Sequence, residues 1–385
     1  MPVFMDFPTA EIDTLDAVVA GWVAGDNGEL PVRVTAGGRE FPHFIIERPD
    51  VRAAHHQYPF TTGIGAAIDI LQMDNAPFPV TIEFGTERAK RNVKLTPHAR
   101  AMRNREKKLR DDARQWCERH ICCPHCKGSL VHIRDSQDNL ACMQCGGSYG
   151  QGRAALDFLP ANMRFALTPR PETTSSNPYD PAALELINRT VEAGGMVLDC
   201  GAGFRAARMR NVINVEIAAY RSTDVLAVGE ALPFEDGCFD TVLSLAVLEH
   251  VRNPFACARE MLRVLKPGGQ IMCQVPFLQP EHSFPGHFYN MTQTGIQNLF
   301  AEMAEVVSVD VPPHGHPIFG VQWILREYMA GLPESRRDEF SNMTLGQAAT
   351  LDPARFLTTS LAYELNAETA KKIACLSTVV FRRPS

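Results

Sequence analysis

Over residues 1–95, apolar positions come in short runs or alternate with polar ones, as in "DAVVAGWVA", "LPVRVTAGG", "EFPHFIIERPD", "GIGAAIDIL" and "FPVTIEFG". Period-two alternation sends successive side chains to opposite faces of a strand, and "GDNG", Gly37-Gly38 and the prolines supply turns. A small β-sandwich is predicted there. Residues 96–120 change to mixed charges at helical spacing, which predicts a solvated linker helix. A cysteine-bearing segment, 121–166, follows, and then "LTPRPETTSSNPYDP" (Leu167 to Pro181), whose Pro, Ser and Thr content marks a linker. From 182 to 385, strand-like apolar runs alternate with helical patterns, as in an α/β domain built on a mainly parallel sheet.

Composition narrows the setting. A chain of 385 residues is longer than one core usually serves, so two or three folding units are expected. With 45% apolar and 21% charged residues, and no apolar run near the roughly 18–20 residues of a membrane helix, it reads as a soluble protein without membrane insertion. The start, "MPVFMDFPTAEIDTLD", is acidic and lacks the basic and apolar regions of a secretory leader, so export is not expected. The eleven cysteines are an odd number, and several sit in apolar runs, which fits a reducing cytoplasm. A net charge of −6 gives no global attraction to nucleic acid. The stretch His98 to His120 is locally basic, with eight Lys or Arg against four acids, which keeps RNA as the less favoured partner.

Two CxxC pairs, Cys123/Cys126 and Cys142/Cys145, lie fifteen residues apart. That spacing suits a zinc ribbon, in which four thiolates close a tetrahedral shell and leave no open position, so a structural metal is expected. Thioredoxin-like chemistry would need only one pair in a βαβ setting, and neither condition holds. The segment "CPHCKGSLVHIRDSQDNLACMQCGGSYGQGRAALDFLP" resembles the zinc-ribbon activator subunit of RNA and protein methyltransferases, and equally the zinc-ribbon front end of a bacterial rRNA guanine methyltransferase. The N-terminal region, through "AGWV", Gly37-Gly38, "RPDV" and Gly63, resembles an accessory β-domain found beside bacterial glycosyltransferases.

In "MVLDCGAGFR", residues 196–205, an apolar strand runs into Asp199, Gly201 and Gly203. Glycines there let the backbone turn tightly and approach a ligand. Gly201, Gly203 and Ala206 also satisfy the dinucleotide pattern, so a nicotinamide cofactor has to be weighed. Asp199 at the strand end argues against it, because a carboxylate suits a cationic amino-acid group better than a pyrophosphate. Glu216, ending "NVINVEI", is placed to accept both hydroxyls of a ribose. The following "GEALPFEDGCFDTVLSLAVLEHVRNPFACAREMLRVLKPGGQIMCQVPF" resembles class I S-adenosylmethionine-dependent methyltransferases. The resemblance implies a Rossmann-like domain with a mostly parallel seven-stranded sheet. It also implies a loop under the methionine part (Asp199, Cys200, Gly201, Ala202, Gly203), Glu216 on the ribose, Glu230, Ala231 and Leu232 along the adenine, and Leu245 and Ala246 by the sulfonium. Asn253 and Pro254 should open a helix with Phe255, Ala258, Leu262 and Leu265 on one face. The sequence departs from the family at Arg205, where many relatives have a third glycine, and the helix expected over "AARMR" is very short.

The loop "FLQPEHSFPGHFYNM" would bring Glu281, His282, His287 and Tyr289 to the carboxyl edge of the sheet, and "PPHGHP", after an expected sixth strand, would bring His314 and His316. His287 is the first candidate for a base that deprotonates the acceptor, and His282 the second. His250, in "LEHV", is expected to shape the cofactor site. Three readings of function remain: methylation of a small-molecule or glycan-linked acceptor, methylation of RNA, and an inactive zinc-stabilised scaffold.

Overall fold

A computed structural model describes residues 3–25, 31–74, 76–133, 139–151, 155–163, 176–282, 286–301, 303–375 and 377–378. The chain divides into two compact units, Met1–Gln115 with Ala207–Met209, and Trp116–Ala206 with Arg210–Ser385.

In the first unit the elements are β1 (Val3–Phe7), β2 (Glu11–Ile12), β3 (Asp16–Gly25), β4 (Val32–Ala36), β5 (Arg39–Phe41), β6 (Phe44–Ile46), α1 (Pro49–Ala54), β7 (Phe60–Asp69), β8 (Phe78–Phe84) and β9 (Glu87–Leu95). One sheet runs β1-β3-β7-β6 and the other β2-β9-β8-β4-β5. Alternate residues of both, among them Val19, Ile64 and Ile68 from one and Val34, Val80, Ile82 and Val93 from the other, meet in a single buried cluster. Glycine is required at Gly21, where a Cβ would stand 2.1 Å from the Phe4 carbonyl oxygen of the paired strand.

The basic segment forms α2 (Pro97–His120), started by Thr96, whose Oγ1 accepts the Ala99 N–H. It is less solvated than the charge pattern suggests. Arg103 and Glu106 are buried, and the Arg103 guanidinium donates to the carbonyls of Ile70 and Met73. One of its cations is thus used inside the unit to satisfy backbone groups.

The second unit contains β10 (Leu130–His132), β11 (Leu140–Cys142), β12 (Ser148–Gln151), β13 (Leu156–Asp157), α3 (Pro181–Glu192), β14 (Val197–Cys200), β15 (Val212–Glu216), β16 (Val225–Leu226), β17 (Phe239–Leu245), α4 (Pro254–Val264) and β18 (Leu265–Gln274). Its sheet has nine strands in the order β10-β11-β12-β13-β16-β15-β14-β17-β18. Pairing is antiparallel from β10 to β13 and parallel from β13 to β18. The expected seven-stranded sheet with a separate ribbon is therefore corrected: the cysteine segment extends the sheet. The seam is β13 against β16, Leu156 facing Val225 and Asp157 facing Leu226, with Leu156 fully buried.

Other expectations also change. Residues 304–311, expected to hold a sixth strand, have no β pairing among the described residues, and Val306, Val307, Val309 and Val311 are exposed. Alternation makes a strand only where a neighbouring edge accepts its backbone bonds. In α4, Asn253 caps the Ala256 N–H as predicted, but the buried face is Pro254, Cys257, Ala258, Met261 and Val264, while Phe255 is exposed. Residues 202–211, expected to include a short helix, form none. Of the predicted linker, 167–175 lie outside the described residues. Beyond β18 come α5 (Gln293–Phe300), α6 (Pro317–Gly331) and shorter helices to Lys372. Among the described residues no helix is long and apolar enough to cross a membrane.

Candidate active site and metal centre

The two CxxC pairs build the same local structure twice. Lys127 N–H donates to the Cys123 carbonyl and Gly146 N–H to that of Cys142, while the N–H groups of Cys123 and Cys142 reach the carbonyls of Gly128 and Gly147. The residue after each pair is left-handed, Lys127 at φ 60° and Gly146 at φ 74°. Each turn thereby aims two Sγ atoms inward, and all four lie within 4.8 Å of one another. Cys123 and Cys145 sulfurs are 3.6 Å apart, and those of Cys126 and Cys142 3.4 Å. Sulfurs bound tetrahedrally at about 2.3 Å would stand about 3.8 Å apart, so the four thiols fit one zinc ion with little movement. Burial raises the Cys123 thiol, but hydrogen bonds from Tyr149 and from the Cys126 and His125 N–H groups outweigh it and bring it down to about 6. A thiolate favoured in this way is the form a metal binds.

Charges lock this knuckle to the α/β core. Glu260 of α4 accepts from Lys127 Nζ at 2.7 Å, from the Leu232 N–H at 2.8 Å and from Arg263 Nε and Nη2 at 2.7 and 2.9 Å. Lys127 Nζ and Arg263 Nη2 both return to the Leu232 carbonyl. Ile121 bridges to Phe234, and Trp116 packs against Phe234 and Phe239. Leu232, predicted to lie along an adenine, is fully buried and has both backbone groups engaged in this junction.

At the carboxyl edge of the parallel strands, β14 ends in the glycine turn. Gly201 (φ +82°) has a conformation L side chains rarely adopt, and a Cβ there would fall 2.5 Å from Val247 of the β17 loop. The N–H groups of Gly201 and Ala202 are tied to the Val215 carbonyl, and Gly203 N–H donates to Glu216 Oε2 at 2.7 Å. Asp199 is fully buried, and its Oδ2 accepts from Arg205 Nε and Nη2 at 3.0 and 2.8 Å and from the Tyr179 hydroxyl at 2.5 Å. Arg205 stacks on the Tyr179 ring, 3.8 Å from its centre. Asp199 Oδ1 is buried with no partner among the described residues. Glu216 Oε1 accepts the Ile217 N–H, and burial, the largest influence, raises this carboxyl. Glu230 and Ala231 are half-buried, Leu245 is half-buried at the end of β17, and buried Cys200 closes β14.

The predicted histidines gather at the same edge, with His250 joining them. Ring centres are 4.4 Å apart for His282 and His287, 5.1 Å for His250 and His282, and 5.7 Å for His250 and His287. His287 Nδ1 accepts the His282 N–H at 3.3 Å, so its proton sits on Nε2, which donates to Asn290 Oδ1 at 2.8 Å. Both nitrogens of the first-choice base are therefore committed. His282 Nδ1 faces only acceptors, the Pro280 carbonyl and His287 Nδ1, and must carry a proton, which leaves a lone pair on Nε2. His250 Nδ1 donates to the Gly286 carbonyl at 2.7 Å, again leaving Nε2 free to accept. Burial lowers both His250 and His282 and so favours these neutral rings. Glu249 beside them is fully buried, and burial pushes its carboxyl up to about 7. His314 reaches Gln274 at the end of β18, whereas His316 is spent as the cap of α6, accepting the Ile318 N–H. Residues 283–285 of the histidine loop lie outside the described residues.

Residues 198–273 match the family model described as a methyltransferase domain. The match covers the glycine turn, Glu216, Glu230 and the parallel strands β14 to β17. A protein of Mycobacterium avium (strain 104) described as an uncharacterized methyltransferase is 39% identical over 103 residues, 26% of this chain and 37% of the relative. Another from Mycobacterium sp. (strain KMS), described in the same words, is 37% identical over 120 residues, 27% of this chain and 46% of the relative. The chain thus spans less than half the length of these relatives. Among solved structures, the (4+2)-cyclase SpnF is 20% identical, with 47% of this chain and 71% of that one covered at a TM-score of 0.28. The YcgJ protein of Bacillus subtilis is 17% identical, with 44% and 91% covered at 0.26. At those scores the likeness carries no weight for acceptor or chemistry.

Sequence reasoning missed Tyr179, which touches Asp199, and Glu249, which hid as one letter of "LEHV". Tyr179 gave no signal, since it sits in a stretch that reads as linker.

Proposed function

We propose that the protein transfers the methyl group of S-adenosylmethionine to a hydroxyl or amine of a small-molecule or glycan-linked acceptor, in a cytoplasmic biosynthetic pathway. The observation that carries this reading is the strand-end cradle inside the methyltransferase domain. There a buried carboxylate oxygen, Asp199 Oδ1, has no partner among the described residues beside a turn whose Gly201 takes a conformation L side chains rarely adopt, and a second acid, Glu216, ends the next strand. These residues fit the cofactor. An unpartnered buried acceptor suits an ammonium group, and each Glu216 oxygen, already given one backbone N–H, keeps a lone pair for a ribose hydroxyl. Arg205 and Tyr179 hold the Asp199 side chain in place through Oδ2, so Arg205 positions the cradle and does not mark its decay. Asp199, Cys200, Gly201, Ala202, Gly203, Glu216, Glu230, Ala231, Leu232 and Leu245 would line the cofactor, Leu232 through its side chain alone.

When bound, the cofactor supplies an electrophilic methyl on a sulfonium. What this chain adds is alignment of the acceptor and removal of its proton. The hydrogen-bond pattern favours His282 Nε2 for the proton, with His287 as the group that orients it. The four cysteines would hold one structural zinc ion, and the N-terminal unit would act as an accessory domain toward the acceptor. The RNA reading is weaker because Arg103 of the basic helix is used internally, and the scaffold reading because Arg205, one of its two supports beside the short helix, has a positioning role. Incubation with methyl-labelled cofactor and a panel of sugars, glycan-linked intermediates, small hydroxylated acceptors and RNA, followed by mass spectrometry, tests the proposal. Label in RNA alone, or in nothing, defeats it.

A further inference from the structure

We propose a second metal site, for a divalent transition-metal ion such as Zn2+, formed by Glu249, His250 and His282. A carboxylate oxygen of Glu249 and one ring nitrogen each of His250 and His282 lie within 4.8 Å of one another. The residues come from two segments, the turn after β17 and the loop after β18, joined where Phe288 N–H donates to the Glu249 carbonyl at 2.6 Å. Two features point to a cation. Both Glu249 side-chain oxygens are buried, and no other described residue donates to either. A buried carboxyl without donors is held either by its own proton or by a cation that displaces it, and a bound ion would supply the second.

The second feature is the direction of the histidine protons. Nδ1 of both His250 and His282 is turned to carbonyl oxygens, which leaves Nε2 as the nitrogen of each ring able to accept, and that of His250 faces Glu249. His250 Nε2 stands 3.9 Å from Glu249 Oε1, too far for a hydrogen bond. Two ligands at about 2.0–2.2 Å from one ion stand about 3.4 Å apart in a tetrahedral shell and about 4.3 Å apart when opposite, so this pair closes on an ion with a shift of about 0.5 Å or less. Backbone carbonyls fixing the Nδ1 protons are the usual supports of metal-binding histidines, and two histidines with one carboxylate leave coordination positions open. Resting on the methyl-transfer reading, with the ion bound His282 Nε2 is a ligand in place of a base, and an acceptor oxygen in an open position would ionise more readily, its proton passing to solvent.

The test titrates zinc chloride, without S-adenosylmethionine, into the 385-residue protein after Cys123, Cys126, Cys142 and Cys145 have been loaded, counting bound zinc and measuring heat. Failure of the methyl-transfer reading would leave this result untouched. Wild type is expected to take one further equivalent. Glu249→Gln and His282→Gln should each weaken it by more than the roughly 10- to 100-fold that loss of an outer-sphere partner costs, the range expected for His287→Ala. A wild type that takes no further equivalent, or a Glu249→Gln protein that takes it as tightly as wild type, overturns the assignment. If Glu249→Gln does not fold by circular dichroism, His282→Gln, at a half-buried position, is read by the same two outcomes.

Discussion

Glu260→Gln is the most informative single change at the seam between the cysteine segment and the α/β core. It keeps the shape of the side chain but removes the charge on which Lys127 and Arg263 converge. The Glu260 side chain is 14% exposed, that of Arg263 17% and that of Lys127 31%. Charged hydrogen bonds contribute about 1.5–3 kcal/mol each, and breaking one side of a buried pair costs about 3–5 kcal/mol. Discounting for the exposed lysine and for the amide oxygen that remains, the loss should be about 2–4 kcal/mol. Urea unfolding followed through Trp116, in a Trp22→Phe, Trp323→Phe background, measures it. Acid gives a second reading. Burial alone would raise Glu260, but hydrogen bonds from Arg263 and Lys127 hold its carboxyl below the usual range. Stability from a carboxyl lowered on folding is present above its unfolded pKa of about 4.3 and lost as pH falls through the folded value. Wild type and variant should therefore converge in acid. A loss below about 0.5 kcal/mol, the scale of an exposed ion pair, would refute the claim that this junction anchors the ribbon.

Other consequences follow from the same geometry. Arg205→Gly should destabilise the protein by about 3–5 kcal/mol in thermal or urea unfolding, because it strands the Asp199 charge; unchanged stability with tighter cofactor binding would contradict the positioning role. Gly201→Ala meets both a forbidding φ and Val247, and should cost about 1–3 kcal/mol by differential scanning calorimetry, of which Val247→Ala recovers only part. An unshifted transition would count against the close approach of the two loops. With zinc bound, alkylation mapped by mass spectrometry should reach exposed Cys375 well before Cys145, and chelation should release Cys145 to react comparably. Equal rates in the loaded protein would argue against a metal-held quartet.

Much of this was legible in the chain because the signals are local. Spacing alone brought Cys123, Cys126, Cys142 and Cys145 together, Asn253 announced its helix, and Asp199 with Gly201 and Gly203 marked a strand-end turn. What stayed hidden depends on contacts distant in sequence. No window shows that Leu156 pairs with Val225, which makes the cysteine segment part of the sheet. Arg205 looked like a damaged glycine position because its partners are Asp199, a residue of the preceding strand, and Tyr179 far upstream. The valines of 306–311 alternate like a strand, yet alternation carries no information about an available partner edge. Nor does any window show that His287 bonds through both ring nitrogens, to His282 and Asn290, while His282 Nδ1 faces the Pro280 carbonyl.

Calorimetric titration of the purified protein with S-adenosylmethionine bears most directly on the strand-end cradle. One site per chain is expected, lost in Glu216→Ala. A flat titration, or heat from a nicotinamide dinucleotide instead, would contradict it.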